Sequence, residues 1–209
     1  MSSIKNITGR AIILPDDNID TDRIIQARFL KCVTFDELGA HVFEDDRAAV
    51  KIAGKIHPFD DPKYQGASLL FTGKNFGSGS SREHAVHALI KWGIRAIISY
   101  STYSEIFFNN AVSNGLPAVL VEEHAWKGCL KRLEKNINQV ASINLDTMEV
   151  TFGELKEPIT FQQQSARENF IMGSWDKLGV LLQAENSTEE TIAALPYNRQ
   201  RQNKQSPRI

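Results

Sequence analysis

The chain's 209 residues are 42% apolar and 23% charged, a composition that suits one globular domain with a core of its own. Its 24 basic and 25 acidic residues nearly cancel, which excludes the basic footprint of a nucleic-acid binder, and no apolar run nears the ~18 residues that span a bilayer. Two cysteines, Cys32 and Cys129, lack a C-x-x-C spacing, which excludes a zinc ribbon or thioredoxin-like motif, and two thiolates cannot complete an iron–sulfur cluster.

The N-terminus holds a short apolar run and an early acidic cluster, so it reads as neither a secretory signal nor a transit peptide, and a cytoplasmic protein is expected. Asn6–Leu14 is rich in β-branched residues and stops at Pro15, the pattern of a strand. "PDDNIDTD" follows as a polar loop. "RIIQARFLKCV" and "TFDELGAHVF" read as short helices, and residues 44–66, charged and broken by Gly54, Pro58, Pro62 and Gly66, as a long irregular connection.

An alternation then begins. "ASLLF", "IRAIISY" and "PAVLV" read as strands. Between and after them, "SREHAVHALIKWG", "YSEIFFNNAVSNG" and "EEHAWKGCLKRLEKN" read as helices, two ended by Gly93 and Gly115 and the third acidic first and basic last. Strand and helix in turn imply crossover units and a parallel sheet, an α/β fold. "QVASINLDTMEVTFGE" alternates about Asp146–Thr147 as a β-hairpin, "ITF" is a short strand, and "SARENFIMG" and "WDKLGVLLQ" are helical. From about residue 185 the chain reads as a helical fragment and then a disordered tail, whose basic run Arg199–Arg208 is a frayed end. One domain is expected over residues 1–209.

The stretch that asks for a function is "GKNFGSGSSREHA", Gly73 to Ala85. It lacks the lysine of a phosphate loop, the third glycine of a dinucleotide loop and the G-x-S-x-G of a nucleophile elbow. It lies between a strand and a helix. Ser80 and Glu83 have capping-box spacing, which predicts a first turn near Ser81 with its amides free. Gly77 and Gly79 let an anion approach the backbone, and Arg82 offers a fork of donors that matches a carboxylate. The earlier "NIDTD" places Asp20 and Asp22 two apart in a loop. His84 and His87 share a helical face without a third ligand, so they read as surface or core residues and no metal site is assigned.

Taken together, "DNIDTDRIIQARFLK", "PKYQGASLLFTGKNFGSGSSREHA", "SEIFFNNAVSNGLPAVL" and "WDKLGVLLQ" resemble the small subunit of bacterial 3-isopropylmalate dehydratase, the swivelling domain of the aconitase superfamily made as a free chain. The resemblance runs from about residue 6 to about residue 183. It implies a swivelling β/β/α fold, a large-subunit partner bearing a [4Fe–4S] cluster, and a malate-type dicarboxylate substrate. It also implies roles: Ser80 as catalytic base, Ser81 and Arg82 as carboxylate ligands, Asp22 as an orienting acid, and Lys31 in a substrate-specificity segment spanning Arg28–Lys31. The residues leave two alternatives open: a small subunit of a related hydro-lyase of dimethylmalate or citraconate type, and a non-catalytic anion-binding module.

Overall fold

The structure, a computed structural model, describes residues 3–32, 34–176, 179, 191, 192 and 195. Contacts gather residues 2–175 into one compact unit, and residue 1 with 176–209 into another. Within the second unit, Gly179 N donates to the Asp176 carboxylate at 2.9 Å, and Leu195 N to Ile192 O at 3.3 Å. Most of the helix expected over "WDKLGVLLQ", and nearly all of the tail beyond 185, lies outside the described residues.

The larger unit is built on eight strands: β1 (Asn6–Leu14), β2 (Leu69–Thr72), β3 (Ala96–Ser99), β4 (Ala118–Leu120), β5 (Val140–Asn144), β6 (Glu149–Phe152), β7 (Leu155–Pro158) and β8 (Thr160–Phe161). They form one sheet in the order β7-β6-β5-β1-β2-β3-β4-β8. The centre, β1 to β4, is parallel, as the alternation of strand and helix requires. The flanks are antiparallel: the expected hairpin is β5–β6, and it joins the same sheet through β1. β7 adds a further edge strand, which tolerates Pro158 at its end.

β1 is shared between two partners. Its first half, Asn6–Arg10, runs antiparallel to β5, and its second half, Ala11–Leu14, runs parallel to β2. Every residue of β2 and β3 is buried, the mark of parallel strands covered on both faces. Of their two polar residues, Ser99 donates its hydroxyl to Gly73 O at 2.8 Å, while the Thr72 hydroxyl is buried without a partner among the described residues. Phe71 meets Phe152 edge-on at 5.3 Å, so the core crosses from the parallel centre to the antiparallel flank. Each fully buried side chain of this size contributes about 1.5–3 kcal/mol.

Six helices complete the described fold: α1 (Thr21–Ile24), α2 (Glu44–Ile52), α3 (Glu83–Trp92), α4 (Glu105–Ser113), α5 (Glu123–Lys135) and α6 (Gln164–Met172). α5 buries Ala125, Trp126, Cys129 and Leu133, a stripe at helical spacing. Among the described residues no helix is long and apolar enough to cross a membrane.

Three local expectations need correction. The helix expected over residues 23–33 is the short α1 followed by a 3-10 turn, Ala27–Phe29. Asp20 caps α1 by accepting from Arg23 N at 2.7 Å, which starts it earlier, and the extended Ile25 ends it. The helix expected over 34–43 is a 3-10 turn, Leu38–His41. Residues 44–52, read as irregular, are α2, although none of its residues is buried and Ile52 is 89% exposed. α2 stands on charge instead. Three acids occupy its first turn and Lys51 its last. Arg23 pairs with Asp46 at 2.8 Å, Arg28 with Asp45 at 2.6 Å, and Arg47 with Asp60 at 2.6 Å.

Candidate active site

Two loops leave the carboxyl ends of β1 and β2, neighbouring parallel strands, where open α/β sheets place their ligands. The first carries residues 15–20 into α1; the second carries residues 73–82 into α3. They run side by side. Asn18 N donates to Lys74 O at 2.9 Å, Gly77 N to Ile19 O at 2.8 Å, and Thr21 N to Ser78 O at 2.8 Å. Asp20 and Ser78 form an isolated parallel bridge. Two glycines permit this path. Gly77 holds φ +77°, and a Cβ there would lie 2.2 Å from the Phe107 ring; Gly79 holds φ +92° against Asp20.

The loops are fastened at their base. Asp17 accepts from Lys74 N at 2.9 Å and from the Tyr100 hydroxyl at 2.8 Å. The Tyr100 bond, then the Lys74 amide, hold the Asp17 carboxyl below its usual range, and the same contact pushes the Tyr100 phenol up.

At the upper end the two expected charges meet. Arg82 Nη1 donates to Asp22 Oδ1 and, at 3.4 Å, to Ile25 O. The Arg82 side chain is 13% exposed and that of Asp22 55%, so the guanidinium is held from the protein side while the carboxylate faces outward. Arg82 Nε and Nη2 have no partner among the described residues. That leaves one edge of the fork for a carboxylate ligand.

Ser80 and Ser81 are both exposed, next to Arg82. The capping box expected from Ser80 and Glu83 is absent. α3 begins at Glu83, its N-cap is Arg82 in extended backbone, and no side chain caps it. Two constraints bear on the chain just ahead of Arg82 and outside the helix: Gly79 turns through positive φ, and Thr21 Oγ1 donates to Ser80 O at 2.9 Å. Glu83 is engaged elsewhere, accepting from Asn114 Nδ2 at 2.9 Å. The positive end of α3 therefore begins just past Arg82, not at Ser81, and the Ser80 hydroxyl is left without a bond among the described residues.

Lys31 does not join this group. It is exposed beyond the 3-10 turn and makes no ion pair or hydrogen bond among the described residues. Its neighbour Arg28 is spent on Glu44 and Asp45. His84 and His87 pack on Phe35, edge-on at 5.1 Å and stacked at 3.9 Å, and burial holds His87 below its usual value. Sequence reasoning passed over Thr21, which is 2% exposed and ties the two loops by both its amide and its hydroxyl. The available signal was a β-branched residue set between two acids, one of them a helix cap.

Comparisons with known proteins agree on a family. The Aconitase C-terminal domain model matches residues 1–123. The 3-isopropylmalate dehydratase small subunit of Synechocystis sp. is 44% identical over 197 residues, covering 94% of this chain and 96% of its own length. The small subunit of Thermus thermophilus is 42% identical over 193 residues, 92% of this chain and 95% of its own. A crystal structure of 3-isopropylmalate dehydratase from Methanocaldococcus jannaschii superposes with TM-score 0.62 at 25% identity, covering 87% of this chain and 99% of that one.

Proposed function

This chain belongs to the 3-isopropylmalate dehydratase small-subunit family, and we propose that it supplies the carboxylate-holding and proton-transferring half of that hydro-lyase. The reaction dehydrates 2-isopropylmalate to isopropylmaleate and rehydrates it to 3-isopropylmalate, a step of leucine biosynthesis. The observation that supports this reading is the Asp22–Arg82 pair beside an exposed Ser80, brought together from α1 and the loop before α3, 60 positions apart.

In this reading the open edge of Arg82, with Ser81 beside it, holds a substrate carboxylate, and Asp22 fixes the guanidinium from the other side. Ser80 Oγ, as the alkoxide, takes the proton from carbon while hydroxide leaves the adjacent carbon; addition of water with the two positions exchanged gives the isomer. A serine hydroxyl is too weak an acid to serve unaided. The Arg82 charge and the positive end of α3 favour its anionic form. Lys31 and the Arg28–Lys31 segment would meet the substrate's branched end.

The chain's own residues do not suit an iron–sulfur cluster. Cys129 is buried, and burial pushes its thiol up to about 12. Among the described residues no group of three or more His, Cys, Asp or Glu side chains could hold a metal. We assign the [4Fe–4S] cluster to a large subunit, against which the exposed serines would face in a cytoplasmic complex. The whole chain, residues 1–209, would act as one swivelling domain of that complex.

The test is reconstitution with a large subunit from a relative. The complex should interconvert the isopropylmalates, and Ser80→Ala should lower kcat by about 10²–10⁴-fold, the usual contribution of a positioned base. Full activity in Ser80→Ala would remove the base assignment. A panel of 2-hydroxy diacids on the same complex separates isopropylmalate from dimethylmalate and citraconate-type substrates.

A further inference from the structure

Ser80 lies in a stretch that no regular element holds. It follows Gly79, whose backbone is the freest of any residue and sits at φ +92°, and it precedes Ser81 and Arg82, both before the first turn of α3. Ser80 is exposed, so packing does not fix it. Its carbonyl accepts one hydrogen bond, from Thr21 Oγ1 at 2.9 Å, and it makes no other among the described residues. The donor, by contrast, is rigid. Thr21 is 2% exposed, its amide is bound to Ser78 O at 2.8 Å, and its carbonyl accepts from Ile25 N at 2.9 Å. A β-branched side chain also has little freedom at χ1.

The geometry points to Thr21 as the positioning residue that sets Ser80 in register with Arg82. The inference rests on the reading of Ser80 as the base. Thr21 touches neither substrate nor reacting atoms. It acts by holding the Ser80 carbonyl, and so the direction in which the Ser80 hydroxyl leaves the loop. The adjoining residue Asp22 holds Arg82. One short segment therefore sets both halves of the site: Thr21 the proton-transfer group, and Asp22 the carboxylate seat. The two functions should separate kinetically, because misplacing a reacting group by about 1 Å costs on the order of 10²-fold in rate while leaving carboxylate binding intact.

The experiment uses the reconstituted two-subunit enzyme with Thr21→Val, which keeps the shape and deletes the donor, and Thr21→Ser, which keeps the donor. Thr21→Val should lower kcat about 10- to 100-fold with KM within about twofold. Thr21→Ser should recover most of kcat, a rescue that a packing role would not give. On the Ser80→Ala background, Thr21→Val should cause no further loss in the residual rate, since its effect passes through Ser80. If Thr21→Val fails to assemble with the large subunit, Thr21→Ala replaces it in the same comparison. Unchanged kcat in the hydroxyl-deleted variant, equal damage from Thr21→Ser, or a full additional loss on Ser80→Ala would each overturn the assignment while leaving Ser80 as base. Full activity in Ser80→Ala alone would overturn both.

Discussion

Alanine at Gly77 should cost the fold distinctly more than alanine at Gly54, although the two glycines hold similar angles, φ +77° and φ +70°. The left-handed region costs an L-residue about 1–2 kcal/mol. Loss of freedom in the unfolded chain returns about 0.4–1 kcal/mol of that. At Gly54 nothing lies within 4 Å of the added methyl, so a net cost of about 1 kcal/mol is expected. At Gly77 the methyl would lie 2.2 Å from Phe107 Cγ and 2.6 Å from Phe107 Cβ. The ring cannot swing aside, because Phe107 is 2% exposed and meets Phe76 edge-on at 5.3 Å. Overpacking of that kind adds about 1–3 kcal/mol, for a total of about 2–4 kcal/mol. At about 2–4 °C per kcal/mol for a chain of this size, Gly77→Ala should lower Tm by about 4–16 °C and Gly54→Ala by about 2–4 °C. Calorimetric melts of the two full-length variants, run side by side, make the comparison. Equal Tm values would show that the approach of Phe107 to the loop does not constrain it.

Three further outcomes follow from the same geometry. A thiol reagent should label Cys32, which is half-buried, in the native chain, and reach Cys129, buried with its thiol pushed up to about 12, only after unfolding; two rapid labels in the native state would contradict its burial. Burial holds His57 and His87 below their usual value of 6.5, and Phe59 N donates to His57 Nδ1 at 3.2 Å, a bond only the unprotonated nitrogen accepts. The unfolded chain binds those protons first, so stability is fully present above about pH 6.5 and is lost as pH falls below it; the urea midpoint should drop between pH 7.5 and 5.5, and less so in His57→Gln. Asp22→Asn should raise KM by about tenfold with a smaller effect on kcat, since it loosens Arg82 rather than Ser80; a change confined to kcat would place Asp22 in the proton transfer instead.

What could be read in advance follows where the stabilising force lies. β1 was legible to its ends because β-branched residues stop at a proline, and the alternation of strand and helix gave the parallel centre. α2 was not, because its stabilisation is ionic and comes from Arg23, Arg28 and Arg47, residues whose partners no periodicity announces. The capping box failed for a related reason. Ser80 and Glu83 have the right spacing, but Thr21, 59 positions earlier, had already claimed the Ser80 backbone. Local patterns cannot register such a claim. The resemblance named Asp22 as an orienting acid and Arg82 as a carboxylate ligand, but not that the two side chains meet, a contact that only the fold brings about; Lys31 stands apart from it.

The division of β1 between two partners has a consequence for synthesis on the ribosome. Its second half can pair with β2 once Thr72 has emerged, but its first half must wait for Asn144. At about 5–20 residues per second, the about 70 residues between them take on the order of 4–14 s. For that interval the nascent chain carries a half-zipped strand whose Asn6–Gly9 edge lacks its β5 partner, an open invitation to another strand, whereas the Arg10 carbonyl can already accept from Ser68 N. Arg10, at the boundary of the two halves, is a charge placed where that exposure ends.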